Sequence, residues 1–261
     1  MKRSHFIFIA ICACASGVAR ADDSSTLTSI CDQAAASPFD TTRPAGVAGV
    51  APDKIDTKIA VPACEAAVKA APNDPRIAYQ LGRAYFAAKA YESARAQYER
   101  ADAAGFAPAA FNLAAIYHEG LGVPVDPQRS IALVRRAADG GLPLAMNALG
   151  YRYTQADGVA KDLSEARRWF QKGAELNDPD SMSRYALCFW GGLGGEKNRD
   201  EARRWFQKAA EAGSPSGMTD YGEMLLSGEG GEKNDIEARH WFEKSSRGRK
   251  HRGHDRLRHH A

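Results

Sequence analysis

The octapeptide EARRWFQK stands at 165–172 and again, letter for letter, at 201–208; a near copy, EARHWFEK, follows at 237–244. Each copy starts 36 residues after the last. So regular a step restricts the chain to a stack of similar units, each contacting its neighbours in the same way. The register reaches beyond the octapeptide. Leu149-Gly150, Tyr185-Ala186 and Tyr221-Gly222 keep the step, as do Pro143, Pro179 and Pro215. Upstream the letters fade: Leu113-Ala114 takes the Leu-Gly place, and Ser130 and Leu133 take those of Ala166 and Trp169. One unit earlier stands Leu81-Gly82, at a step of 32, with Ala94 thirteen residues on, as a loop four residues shorter requires. Five units result, at about 74–105, 106–141, 142–177, 178–213 and 214–248.

Each unit reads as two helices. The first opens on a cap and a proline, as in Asp74-Pro75, Asp178-Pro179 and Ser214-Pro215, because the missing proline N–H is harmless at the first helical position. It ends in a glycine turn such as Gly120-Leu121-Gly122, Gly192-Leu193-Gly194 or Gly228-Glu229-Gly230, glycine supplying the left-handed conformation that stops a helix. The second opens on a capping box, Asp162-x-x-Glu165, Asn198-x-x-Glu201 or Asn234-x-x-Glu237. Its Ala166, Trp169, Phe170 and Ala174 share one face. One hairpin alone cannot bury that face, so the tryptophan is expected to pack on the following copy. Trp205→Ala is then more damaging than Trp241→Ala, whose helix is the last.

The ends differ from the body. MKRSH is a short positive region, FIFIAICACASGVA an apolar run, and Ala19-Arg20-Ala21 an A-x-A cleavage pattern. Residues 1–21 therefore read as a signal peptide, with a mature start near Asp22 and a periplasmic or secreted destination. Cys12 and Cys14 invite a lipoprotein reading, but the residues before them fit a lipobox poorly. Residues 22–73 form an N-terminal helical cap with a Pro/Gly-rich loop, and 249–261 a basic, histidine-rich, disordered tail. Setting aside residues 1–21 and 245–261 leaves 26 bases against 31 acids, so the formal charge of +3 belongs to the ends. A mildly acidic body is not the field of a nucleic-acid-binding domain. Export favours pairing Cys31 with Cys64, which flank the Pro/Gly-rich connection. Cys188, between Leu187 and Phe189 in a helix, reads as core packing.

Motifs for chemistry are missing. GGLGGEKN lacks the Ser/Thr after its lysine and the strand before it that a phosphate loop needs, and its place in the repeat accounts for its glycines. His118 and His240 have no His or Cys partner at ligand spacing, and no GxSxG or HExxH occurs. No cofactor, metal or catalytic residue is expected. The tail reads as solubilising; contact with an anionic envelope surface is the alternative.

The pattern A-x-x-L-G-x-x-Y-x-x-G-x-G followed by D-x-x-x-A-x-x-W-x-x-K-A-A-x-x-G resembles the Sel1-like repeat family. It is carried by Leu113, Tyr117, Gly120, Gly122 and Asp126 in one unit, by Leu149, Gly150, Tyr153, Asp162, Ala166 and Trp169 in the next, and by Gly192, Gly194, Ala202, Trp205 and Lys208 in the one after. The first unit, with Leu81, Gly82, Tyr85, Ala94 and Tyr98, is more similar to a tetratricopeptide repeat. The resemblance covers 74–248 and implies an all-α, right-handed α-solenoid of helix-turn-helix repeats. It implies a non-enzymatic scaffold or adaptor of the bacterial cell envelope, in some members a regulator, that binds a partner protein or peptide in its concave groove. Tetratricopeptide groove offsets, two before and two after the Leu position, give Tyr79, Arg83, Phe111, Asn147, Tyr151, Ser183, Thr219 and Glu223. One turn further on lie Phe86, His118, Thr154 and Trp190. The resemblance also offers a rival: some secreted, cysteine-rich members bind or hydrolyse β-lactams. Those carry a disulfide in every repeat, whereas Cys188 is the one cysteine of 74–248.

Overall fold

The computed structural model describes the backbone of residues 18–257 and the side chains of 24–247. Twelve α-helices, and no strand, occur among the described residues. They are α1 (Val18–Ala35), α2 (Thr57–Ala70), α3 (Pro75–Ala87), α4 (Tyr91–Ala103), α5 (Ala107–Glu119), α6 (Pro127–Asp139), α7 (Pro143–Gln155), α8 (Leu163–Glu175), α9 (Pro179–Gly191), α10 (Arg199–Glu211), α11 (Pro215–Ser227) and α12 (Asp235–Leu257). From α5 onward the helices come as hairpins at the 36-residue step, in an all-α, solenoid-type arrangement. The signal-peptide reading falls mainly on residues 1–17, outside the described residues. The side chains of the basic tail are outside them as well, although the α12 backbone is helical as far as Leu257. No described helix is long and apolar enough to cross a membrane.

The chain divides into two compact units, meeting in sequence at Gln97 and Tyr98. In the first, α1, α2 and α3 bury Cys31, Ala35, Ala60, Cys64, Ile77 and Leu81. Cys31 and Cys64 form a disulfide with Cα atoms 4.7 Å apart, tying α1 to α2. Beside it Asp32, 3% exposed, pairs with Arg76 and accepts from Gln80 Nε2 at 2.6 Å, so its buried charge is matched and hydrogen-bonded.

In the second unit each letter of the octapeptide has a role. Glu165 binds Arg168 at 2.5 Å, as Glu201 binds Arg204 at 2.6 Å. Its backbone N–H donates to the Asp162 cap at 2.9 Å. Ala166 and Phe170 are core. Arg167 crosses to the next hairpin, 4.2 Å above the Phe189 ring. Gln171 donates to Glu175 at 2.9 Å. Lys172 lies 3.9 Å over the Trp169 ring, and Lys208 and Lys244 repeat the contact on Trp205 and Trp241 at 4.1 and 4.6 Å.

The tryptophan has its aromatic partner within its own hairpin, which the sequence does not imply. Trp205 forms a T-shaped pair with Tyr185, ring centroids 5.1 Å apart, and Trp241 meets Tyr221 in the same way at 5.8 Å. Both partners lie on the first helix of the same hairpin. Trp241 therefore needs no following copy and is only 9% exposed, while Trp205 is half-buried. Trp205 also packs against two core clusters, one holding Phe170 and Tyr185 and one holding Met218, Tyr221 and Trp241. The Leu-Gly pair serves the same hairpin: a Cβ on Gly150 would stand 2.6 Å from the Phe170 ring, and one on Gly222 2.7 Å from Phe242. Between successive hairpins the close contacts are small residues. A Cβ on Gly173 would meet Ser181 Oγ at 2.3 Å, and one on Gly217 would meet Ala209 Cβ at 2.6 Å.

Candidate partner-binding groove

The expected groove residues fall in both units, and each unit stands by itself. In the first, Tyr79 and Arg83 are 2% and 4% exposed. Arg83 donates to the carbonyls of Ala35 and, at 2.5 Å, Val50. It pins the Pro/Gly-rich loop onto α3. Neither residue offers a side chain to a partner, because the cap covers the face that the carried-over offsets assume to be open. Phe86 is half-buried, edge-on to Tyr91 at 5.5 Å.

In the second unit the two rows of offsets behave differently. The row two residues after the Leu position is open: Tyr151 is 45% exposed, Leu187 38%, and Glu223 is exposed too. The row two residues before it is occupied by contacts with neighbouring helices. Asn147 donates to Ser181 Oγ at 3.3 Å. Ser183, 1% exposed, accepts from Ser216 Oγ at 3.3 Å. Thr219 donates to the Pro215 carbonyl at 3.0 Å and is hydrogen-bonded to Ser245 of α12, also at 3.0 Å. Ser183 is therefore a positioning residue, not a contact residue. Phe111 is half-buried and His118 exposed. Thr154 donates to the Tyr151 carbonyl at 2.6 Å. Trp190 is 42% exposed.

Tyr151, Leu187 and Glu223 step across α7, α9 and α11, and the spaces beside Leu187 and Glu223 are concave. Arg184 lies 4.9 Å over the Tyr151 ring. A cavity of about 300 Å³ opens beside Asn147, Asp180 and Arg184. A second, of about 410 Å³, lies among α9, α10 and α11, walled by Leu187, Trp190, Phe206 and Met224 and edged by Asp220, Glu223 and Glu229. Leu187 lines both. Arg199 stacks 4.5 Å over Trp190 and reaches Glu229 at 3.4 Å, and the indole N–H donates to Glu229 at 2.9 Å. A run of hydroxyls links the two cavities: Ser214 bonds Asp180 at 3.1 Å and Ser216 at 2.9 Å, Ser216 donates to Ser183, and Ser183 bonds Asp220.

Burial, and then the charge of Glu223, push the Asp220 carboxyl up from its ordinary 3.8 to about 6, while the Ser183 hydrogen bond works in the opposite direction. A carboxyl that titrates higher when folded favours the native state most below pH 3.8, and that contribution is lost as the pH rises to about 6. Asp220→Asn does not titrate. The variant is expected to be more stable than wild type at pH 7.5, the gap closing towards pH 4, in urea melts compared at the two pH values. A gap of equal size at both contradicts the assignment.

The repeats have known counterparts. The Sel1 repeat family matches residues 107–142, 143–178, 179–214 and 215–248, which is more than half of the chain. The chain belongs to the Sel1 repeat family. A tetratricopeptide repeat family matches 56–117, starting at α2, inside the segment that the sequence assigns to the N-terminal cap. Among solved structures, a Sel1 repeat protein from Oxalobacter formigenes aligns with a TM-score of 0.64 at 24% identity, over 68% of this chain and 74% of that one. A protective antigen present in uropathogenic Escherichia coli strains, displaying an SLR fold, aligns with a TM-score of 0.69 at 25% identity. That match covers 88% of this chain and 47% of the antigen, so the chain spans about half of its length. No curated protein matches the chain.

Sel1 repeat proteins are in general interaction scaffolds, and the groove here has the features of one: open rings, apolar walls and paired charges. The disulfide per repeat on which the β-lactam reading rests does not occur among the described residues of the Sel1 repeats; Cys188 there is free and buried. Burial pushes its thiol up to about 11, out of the reactive range. No group of three or more His, Cys, Asp or Glu arranged to hold a metal ion occurs among the described residues. Sequence reasoning missed Leu187, Asp220 and Arg184. Leu187 was within reach, since it stands two after Tyr185 as Tyr151 stands two after Leu149. Asp220 and Arg184, one place before the Leu position, gave no such signal.

Proposed function

We propose that this Sel1 repeat protein is an exported, non-enzymatic scaffold of the bacterial cell envelope, holding a segment of a partner protein in the groove over α7, α9 and α11 and regulating it. The observation that carries the reading is the row of open side chains, Tyr151, Leu187 and Trp190, beside two concave spaces that share Leu187. Large side chains left open over a concavity are what a partner covers. Export rests on the signal-peptide reading and is supported by the Cys31–Cys64 bridge, since disulfides persist in oxidising compartments. The intact mass of the exported form checks it: the expected start is Asp22, and a start at Met1 refutes it.

The binding half is tested on a partner captured from envelope extract and then purified. Tyr151→Ala with Leu187→Ala should weaken binding about 30-fold or more, since anchors near an interface centre contribute about 2 kcal/mol each. Helical content should not change, as neither side chain is core. Arg168→Ala, on an exposed face of α8, and deletion of 249–261 should leave affinity within about twofold, the size of effect a non-contacting surface site gives. Wild-type affinity in the double variant sinks the reading.

A further inference from the structure

The larger cavity has two unlike halves. Leu187, Phe206 and Met224 form an apolar wall. On α11, one turn apart, stand Asp220 and Glu223, whose charges repel, and Glu223 has no ion pair among the described residues. Glu229 differs, being already matched by Arg199. Like charges at this helical spacing weaken the free protein, and burial of one of them deepens the penalty. A single ligand group relieves both: a cation carried on an aliphatic stem, the stem against the wall and the head between the carboxylates. The mild acidity of the body, 31 acids against 26 bases in residues 22–244, agrees in sign.

We propose that this cavity is the pocket for one arginine or lysine side chain, so that the segment held in the groove is a basic peptide. The inference rests on the groove reading and names the chemistry of its occupant. Arg199 shows what the site tolerates nearby: its guanidinium already stacks on Trp190 and pairs with Glu229, filling the rim and leaving Asp220 and Glu223 for the partner. An entering guanidinium also offsets the repulsion from Glu223 that adds to burial in raising the Asp220 carboxyl.

The probes are two acetylated, amidated peptides, Ser-Leu-Xaa-Leu-Ser, with arginine or its neutral isostere citrulline at Xaa. They are titrated into the full exported chain at low salt and followed by indole fluorescence and calorimetry. The arginine peptide should bind about tenfold or more tightly than the citrulline one, as a charge-assisted pair worth at least about 1.4 kcal/mol requires. In Asp220→Asn/Glu223→Gln that ratio should fall to about one, with citrulline affinity unchanged, and salt should erode the ratio in wild type. Equal binding of the two peptides overturns the proposal, as does no binding of the arginine peptide at millimolar concentration, or a ratio that survives in the acid-to-amide variant. Binding seen only after deletion of 249–261 overturns the partner assignment in favour of the chain's own tail. Failure here is separable from failure of the groove reading: a partner lost by Tyr151→Ala/Leu187→Ala but kept by the acid-to-amide variant retains the groove and removes the basic pocket.

Discussion

Gly194→Ala is expected to destabilise the protein by about 2–5 kcal/mol, combining left-handed strain of about 1–2 kcal/mol with about 1–3 for forced displacement of packed atoms. Gly194 has φ +69°, and a Cβ there would lie 2.1 Å from the Leu163 carbonyl oxygen and 2.6 Å from its carbon. Those are backbone atoms at the start of α8, so no rotamer change relieves the overlap. Gly230 stands in the same relation to Arg199 at the start of α10, at 2.3 Å. In these two turns the second glycine is thus the point where one hairpin's loop lies directly on the second helix of the hairpin before. Gly213 supplies the control. Its φ is +95°, but a Cβ there meets nothing within 4 Å, so Gly213→Ala should lose only the strain, about 1–2 kcal/mol. Urea melts followed by helical circular dichroism compare the two, and equal losses would mean that the loop contact is not what fixes the glycine.

Replacing both Cys31 and Cys64 with serine is expected to cost roughly 3–4 kcal/mol, because opening a loop of about 33 residues restores unfolded-chain entropy. Both cysteines are fully buried, so the serine hydroxyls add a polar penalty in the core of α1, α2 and α3. Reduction of the wild type should reproduce most of the loss. A shift below about 1 kcal/mol would mean that the Asp32, Arg76 and Gln80 cluster already fixes α1 without the bridge.

The repeat was legible because its letters are packing instructions. The 36-residue step, the Pro and Asp/Asn/Ser helix starts and the Cys31–Cys64 pair could all be read before any coordinate. Two things could not. One was the direction in which Trp205 and Trp241 face, since a helical face states which side chains are apolar but not which helix covers them. The other was how the two groove rows divide. Asn147, Ser183 and Thr219 sit at a periodic offset like Tyr151 and Leu187, yet hydrogen bonds to Ser181, Ser216 and Ser245 spend them between helices. Arg83 failed for another reason: α1 and the loop after it, which the repeat pattern does not describe, cover it through the Ala35 and Val50 carbonyls. Ala156, at φ +59° where Gly120, Gly192 and Gly228 stand in the other repeats, shows that the turn geometry outlives the glycine that announces it.

The central claim is that a partner lies over α7, α9 and α11. It is tested most directly by placing the photocrosslinking amino acid benzoylphenylalanine at Leu187 or at Arg168 in the exported protein and irradiating each in the presence of the purified partner. A covalent adduct at Leu187, absent at Arg168 and suppressed by excess unlabelled wild type, is the predicted result; an adduct at Arg168 with none at Leu187 would contradict it.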